Sequence, residues 1–65
     1  MDTHAILISL DDAAWLLSIT PFRLRRLVRE GRVPVVDLGD GELRFSRRDL
    51  QQWVEQLPRR ELAHA

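Results

Sequence analysis

Arginine supplies most of the chemistry that this sequence can do. Residues 20–32 contain five arginines against one acid, and residues 44–48 contain three arginines and no acid. The planar guanidinium binds phosphate through paired hydrogen bonds, and it can also contact the O6 and N7 atoms of guanine. The two stretches therefore carry local charges of +4 and +3, which is typical of a surface that binds polyanions.

The remaining residues offer little for catalysis. The 65 residues include no cysteine, and the two histidines, His4 and His64, are interpreted as unremarkable residues of the chain ends. The sequence holds no nucleophile–base pair, no glycine-rich phosphate loop and no cluster of metal ligands. We therefore predict that the protein is not an enzyme and that it uses no cofactor and no metal.

The zero net charge does not exclude a basic surface. Ten arginines balance ten acids, and there is no lysine. The acids are concentrated at two places, Asp11–Asp12 and the segment that contains Asp37, Asp40 and Glu42. A folded domain can therefore present a basic face while its total charge is zero.

Two short helices with a tight break between them are predicted in the first half of the chain. Ser9 begins a capping box, and apolar residues at helical spacing follow over residues 10–17. Thr20 and the proline after it are an N-cap and a first helical position, and they predict a second helix over residues 21–30. Gly31 closes that helix. The pattern is that of a helix-turn-helix.

A hairpin and a third helix are predicted in the second half. Alternating apolar residues over 34–45 surround the turn sequence Gly39-Asp40-Gly41, which favours a β-hairpin. Ser46 caps a third helix over about 47–57, which a proline ends. Residues 4–8 form a short apolar run, which we interpret as an extended segment or an extra strand.

The predicted fold is mainly α with a small β-hairpin wing, a winged helix-turn-helix with three helices. Residues 1–58 are expected to form the single domain and residues 59–65 a flexible C-terminal tail. The apolar faces of the helices and the hairpin predict one small core. Its expected members are Leu10, Ala13, Leu17, Leu24, Leu27, Val28, Val36, Phe45, Leu50, Trp53 and Leu57.

The second predicted helix has a basic side opposite its apolar side. With Leu24 at 0°, Phe22 and three arginines lie between roughly 100° and 200° at about 100° per residue. The alternative for these arginines is a solvated face with salt bridges to acids, and the alternative for Phe22 is packing against the hairpin. The second helix of a helix-turn-helix enters the major groove of DNA, so this side is a candidate DNA-reading surface. The three arginines are Arg25, Arg26 and Arg29.

The sequence resembles the excisionase-like winged helix-turn-helix domains, which belong to the wider MerR superfamily. The segments that carry the resemblance are 9–20, 26–34, 43–45 and 48–50, followed by Trp53. They combine an alanine pair, a second helix started by threonine, an Arg-Glu-Gly-Arg-hydrophobe-Pro exit, a hairpin and a serine-capped helix. The resemblance covers about residues 6–57.

This resemblance implies a DNA-binding role for the second helix and the wing. In the family the second helix reads the major groove, and the wing lies on the adjacent backbone or minor groove. The wing's backbone contact would be Arg44, for which a cross-strand pair with Asp37 is the alternative, and Arg47 could add a contact. Arg29 is expected to contact phosphate or to form a structural pair. The residues placed by position at bases or nearby phosphates are Thr20, Pro21, Phe22, Arg23, Arg25 and Arg26.

The sequence departs from the family pattern at three points. The wing tip, residues 39–42, is acidic where relatives are often basic, so the wing touches DNA weakly or meets a protein instead. Trp15 lies outside the apolar face of the first helix and is a candidate contact for a partner, with partial burial under the N-terminal segment as the alternative. The chain ends seven residues after Pro58, so we expect neither a long dimerising helix nor a small-molecule effector site.

Three functions are consistent with these features. The first is an excisionase of a phage or mobile element, a recombination directionality factor that binds repeated sites, bends DNA and recruits an integrase or further copies of itself. The second is a small transcriptional regulator that uses the same face. The third is a protein-interaction module that uses Trp15 and the acidic wing. We expect a cytoplasmic, nucleoid-associated protein with no membrane partner.

Overall fold

Three helices and a small antiparallel sheet form the structure, a computed structural model that describes residues 5–61. This architecture confirms the predicted winged helix-turn-helix. His4, which is the first residue of the predicted extended segment, and His64 lie outside the described residues. Between residues 5 and 61 no helix has the length and apolar character needed to cross a membrane. The elements are β1 (Leu7–Ile8), α1 (Leu10–Leu17), α2 (Pro21–Arg29), β2 (Val36–Asp37), β3 (Leu43–Ser46) and α3 (Arg47–Glu55).

The sheet joins the wing to the start of the chain. Its strand order is β1-β3-β2, and both pairings are antiparallel. Ile8 lies opposite Phe45, and Val36 lies opposite Arg44. The extra strand predicted near the N-terminus is therefore present, and β3 is the central strand. The predicted hairpin is present with shorter strands, and its turn has positive φ angles of 118° at Gly39 and 77° at Gly41, which glycine adopts without strain.

The turn between α1 and α2 is tight because α1 ends on a left-handed residue. Ser18 has φ 59° and ψ 39°, and the amide of Ile19 donates to the carbonyl oxygen of Ala14 at 3.0 Å. Ala13 and Ala14 are buried in the core, and α1 and α2 are in contact. Their small side chains allow α1 and α2 to approach closely, as the helix-turn-helix pattern requires.

The third helix is shorter than the predicted 47–57. It ends at Glu55. Beyond this point the amide of Leu57 donates to the carbonyl oxygen of Val54 at 3.1 Å, three residues back in place of the four of an α-helix. Pro58 explains this end, because a proline disfavours helical backbone at the residue before it. Leu57 is consequently 38% exposed and is not a core residue, contrary to the prediction.

The core lies between the sheet and the three helices. Leu24 and Phe45 are its largest fully buried side chains. Of the other predicted members, Ala13 and Leu50 are buried, whereas Val36 is half-buried. The side chains that the prediction left out are Ile8, Ala14 and Val33, all of which are buried. The predicted residues that pack partly buried against the core are Leu10, Leu17, Leu27, Val28 and Trp53.

Candidate nucleic-acid interface

Helix α2 is held in place by its N-cap and by one fully buried leucine. The hydroxyl oxygen Oγ1 of Thr20 accepts a hydrogen bond from the amide of Arg23 at 3.1 Å, and Pro21 occupies the first turn. These two residues fix where the helix starts. Leu24 points into the core with no exposed surface. The opposite side of α2 therefore faces solvent.

That opposite side is basic over the whole length of the helix. Phe22 is 64% exposed, so most of its surface faces solvent and is not packed against the domain. Thr20 and Pro21 are exposed at the start of the same helix. We refer to the exposed side of α2 as the basic face. Its members are Phe22, Arg23, Arg25, Arg26 and Arg29, all of them exposed.

Glu30 neutralises part of the charge at the C-terminal end of the basic face. Its Oε2 atom lies 3.5 Å from Nε of Arg26, and its Oε1 atom lies 3.3 Å from Nη1 of Arg32. The hydrogen bond from Arg32, and then the contacts with Arg26, hold the pKa of Glu30 below its usual value of 4.5. The salt-bridge interpretation of the arginines is thus realised at Arg26, whose side chain remains 57% exposed.

In the wing, Arg44 pairs with a different acid from the one proposed. Its Nη2 atom lies 2.9 Å from Oε2 of Glu42, and its Nη1 atom donates to the carbonyl oxygen of Leu43 at 2.8 Å. The register places Asp37 opposite Leu43, and Asp37 Oδ1 accepts from the amide of Gly39 at 2.8 Å. The suggested cross-strand pair with Asp37 is wrong, because Asp37 stabilises the turn.

The order of two packed helices, a hairpin and a third helix agrees with a family comparison. Residues 7–58 match the model of a helix-turn-helix domain. The chain belongs to the helix-turn-helix domain family. This family is excisionase-like, and a helix-turn-helix domain implies DNA binding. No curated protein and no solved structure matches the chain.

Arg47 occupies a different neighbourhood in the helix-turn-helix domain from the arginines of α2. It is the first residue of α3 and is half-buried. It lines an open groove together with residues of the N-terminal segment, of α1 and of α3, and none of the lining residues belongs to α2. The structure therefore groups Arg47 with this groove and not with the basic face.

Trp15 is exposed on α1 of the helix-turn-helix domain. Its side chain is 71% exposed, so residues 5–61 do not cover it, and the alternative of burial under the N-terminal segment is wrong for the described part of that segment. A tryptophan in this position presents a large apolar surface to solvent. Such a residue is a common anchor in protein interfaces.

Sequence reasoning missed the groove and the coupling of two arginines through Glu30. The groove brings together residues that are distant in sequence, and the available signal was weak: Ile6 and Leu16 are apolar residues outside the predicted core. The signal for Glu30 was stronger, because Arg26 precedes it by four residues and such pairs meet on a helix.

Between residues 5 and 61, no group of three acids or histidines is placed to hold a metal ion.

Proposed function

We propose that this domain binds duplex DNA sequence-specifically with α2 in the major groove. The observation that carries the proposal is the basic face, which presents four arginines along the solvent side of one helix and meets an acid, Glu30, at the C-cap. Leu24 anchors the other side of that helix in the core. The basic face can therefore enter a groove without disturbing the fold.

Base contacts are assigned to the basic face of α2 from its N-terminal end, where a recognition helix meets the base edges, as far as Arg26. Phe22 can contact a thymine methyl group, and Arg26 can bind guanine through its paired N–H groups. Arg29, in the last turn, is assigned to phosphate. The residues proposed to face bases or the phosphates next to them are Thr20, Pro21, Phe22, Arg23, Arg25 and Arg26.

The wing and α3 are assigned supporting contacts. Arg44 would bind the DNA backbone, for which it must exchange its exposed pair with Glu42. Exposed ion pairs of this kind contribute little to stability, so replacing the contact with Glu42 by a contact with phosphate costs little free energy. Arg47 would add a phosphate contact if the DNA extends to the groove. The acidic Asp40 and Glu42 at the wing tip weaken any approach of the wing to phosphate.

The salt dependence of binding tests the proposal. If the domain neutralises about five phosphates, log K should fall with log[salt] at a slope of roughly −4 to −5. Fluorescence anisotropy with a mixed-sequence duplex at several salt concentrations measures this slope. A negligible signal at about 50 mM salt, from protein that circular dichroism shows to be folded, would contradict DNA binding.

Removing the carboxylate of Glu30 should strengthen DNA binding. Glu30→Gln frees Arg26 and Arg32 from their pairs and deletes one negative charge beside the basic face, so we expect severalfold higher affinity at neutral pH. Because the pKa of Glu30 is lowered, the carboxylate stays ionised until the pH falls through that lowered value, and the pairs persist above it. Glu55→Gln, on α3, is the matched control. Equal gains in the two variants would assign the effect to net charge alone.

The biological role we propose is that of an excisionase, a recombination directionality factor of a phage or mobile element. One small domain makes few base contacts, so specificity would come from several copies on repeated sites and from DNA bending. An integrase or recombinase, or further copies of the domain, would be the protein partners. A transcriptional regulator with the same face is the alternative, and an integrase gene next to the coding sequence discriminates between the two.

One observation favours a second candidate function. Trp15 is exposed, and the wing tip carries Asp40 and Glu42. These features suit a protein-interaction module that has kept the fold but does not bind DNA. A protein-interaction module of this kind should have no affinity for DNA at moderate salt. The anisotropy measurements at several salt concentrations therefore distinguish it from the DNA-binding function.

A further inference from the structure

An open groove of about 790 Å³ lies between the N-terminal segment, the end of α1 and one side of α3. The residues of α3 that line it are Arg47, Arg48, Leu50, Gln51 and Val54, and all but Arg48 lie on one helical face, three, four and seven residues after Arg47. That spacing gives a wall about 10 Å long at 1.5 Å per residue. A groove of this form accepts the side of a second helix.

Six of the ten described residues that line the groove are apolar, and two of these six are exposed. Ile6, at one edge, is 83% exposed, and Leu16, at another, is also exposed. Exposed apolar side chains that line one groove mark a candidate interaction site. The apolar residues that line the groove are Ala5, Ile6, Leu16, Leu17, Leu50 and Val54.

Among the described residues that line the groove, the charged ones are Arg47 and Arg48, and none is an acid. Arg48 is exposed, and both arginines belong to the first turn of α3, where the helix dipole adds positive potential. An occupant with negative charge beside its apolar side chains is therefore complementary to the groove.

We propose that this groove binds an acidic amphipathic helix of a partner protein. An added β-strand fits less well, because β1 has two residues and can offer few main-chain hydrogen bonds. A DNA backbone fits less well, because phosphates gain nothing from the apolar residues. No described residue of the groove belongs to α2, so the proposed helix does not compete for the basic face. Arg47 alone of the groove residues is also assigned a DNA contact.

A displayed peptide library tests the proposal on the full chain. The probe is a yeast-displayed set of sixteen-residue peptides with leucine at i, i+3, i+4 and i+7, and with Glu, Lys, Gln or Ala in equal proportion elsewhere. We expect selection to enrich net-acidic clones. Leu16→Glu should weaken the enriched clones by about tenfold or more, which corresponds to about 1.4 kcal/mol. Arg48→Glu should weaken them similarly and shift selection toward basic clones.

A matched variant separates the groove from a general charge effect. Leu38→Glu introduces the same charge at an exposed leucine of the wing, outside the groove, and should leave peptide binding unchanged. Circular dichroism of both variants reports on folding. Failure to enrich any clone, enrichment of basic clones, or equal loss in Leu16→Glu and Leu38→Glu would overturn the proposal.

Two further outcomes would assign the groove to another occupant. If light scattering shows that the wild type is a dimer and Leu16→Glu is a monomer, a second copy of the chain occupies the groove and the proposal is wrong. If Leu16→Glu loses duplex binding in the anisotropy assay while no peptide binds, the groove belongs to the DNA interface. DNA binding that survives in Leu16→Glu, together with loss of peptide binding, supports the proposal and shows that the two sites are separate.

Discussion

Replacing Arg26 with alanine is expected to weaken binding to duplex DNA by about tenfold or more. An arginine that binds a guanine edge contributes about 1–3 kcal/mol of affinity. Arg26 lies on the basic face and its side chain is 57% exposed. Its pair with Glu30, at 3.5 Å on the surface, is weak enough to be exchanged for a base. Anisotropy titrations of both proteins against the preferred duplex measure the ratio.

The salt dependence of the variant identifies the kind of contact that is lost. If Arg26 contacts bases, the slope of log K against log[salt] stays the same, whereas the loss of a phosphate contact reduces it by about one. Arg29→Ala is expected to show that reduction. Arg60→Ala removes the same charge from an exposed position beyond α3 and should bind as the wild type does. A loss as large for Arg60 as for Arg26 would mean that affinity follows net charge and not the basic face.

Replacing each of the two phenylalanines with alanine is expected to change a different property. The loss of Phe45 should lower the stability of the fold, and the loss of Phe22 should lower the affinity for DNA. Phe45 is 1% exposed in the central strand β3, and its truncation should cost about 3–5 kcal/mol. At about 0.05–0.15 kcal/mol per residue, a 65-residue domain has a stability of only about 3–10 kcal/mol. Phe45→Ala should therefore lose a large part of its stability and unfold at a much lower urea concentration than the wild type. Phe22→Ala should remain folded and bind DNA less tightly.

Urea unfolding followed by circular dichroism measures both stabilities, and the wild type is the reference. An exposed substitution normally changes the free energy of unfolding by less than about 0.5 kcal/mol. A loss of several kcal/mol in Phe22→Ala would show that Phe22 has a packing role that its exposed surface conceals. Unchanged DNA affinity in that variant would remove Phe22 from the proposed contacts.

Local chemistry explains why the helices could be predicted. Residues 10–17 were predicted as a helix and α1 is Leu10–Leu17; residues 21–30 were predicted and α2 is Pro21–Arg29. Both helices begin at a residue whose hydroxyl oxygen accepts a hydrogen bond from a backbone amide. The sequence therefore indicates where each helix starts. The two glycines of the turn likewise predicted the position of the hairpin.

The features that the sequence did not reveal depend on contacts across the fold. The burial of Ile8 follows from the pairing of β1 with β3, and no local pattern specifies that partner. Leu57 continued the helical periodicity, but the following proline ended the helix and left it exposed. The choice of Glu42 as the partner of Arg44 depends on side-chain geometry in the turn. The groove is likewise assembled from three separate segments.

The position of β1 in the sheet has a consequence for how the domain forms. Leu7 pairs with Ser46, so this contact closes a loop that contains α1, α2 and β2. Helices α1 and α2 are neighbours along the chain and can meet early, whereas Ile8 has no strand to cover it until β3 arrives. On a ribosome, therefore, β1 must wait for most of the domain to be synthesised before the strand that pairs with it is available.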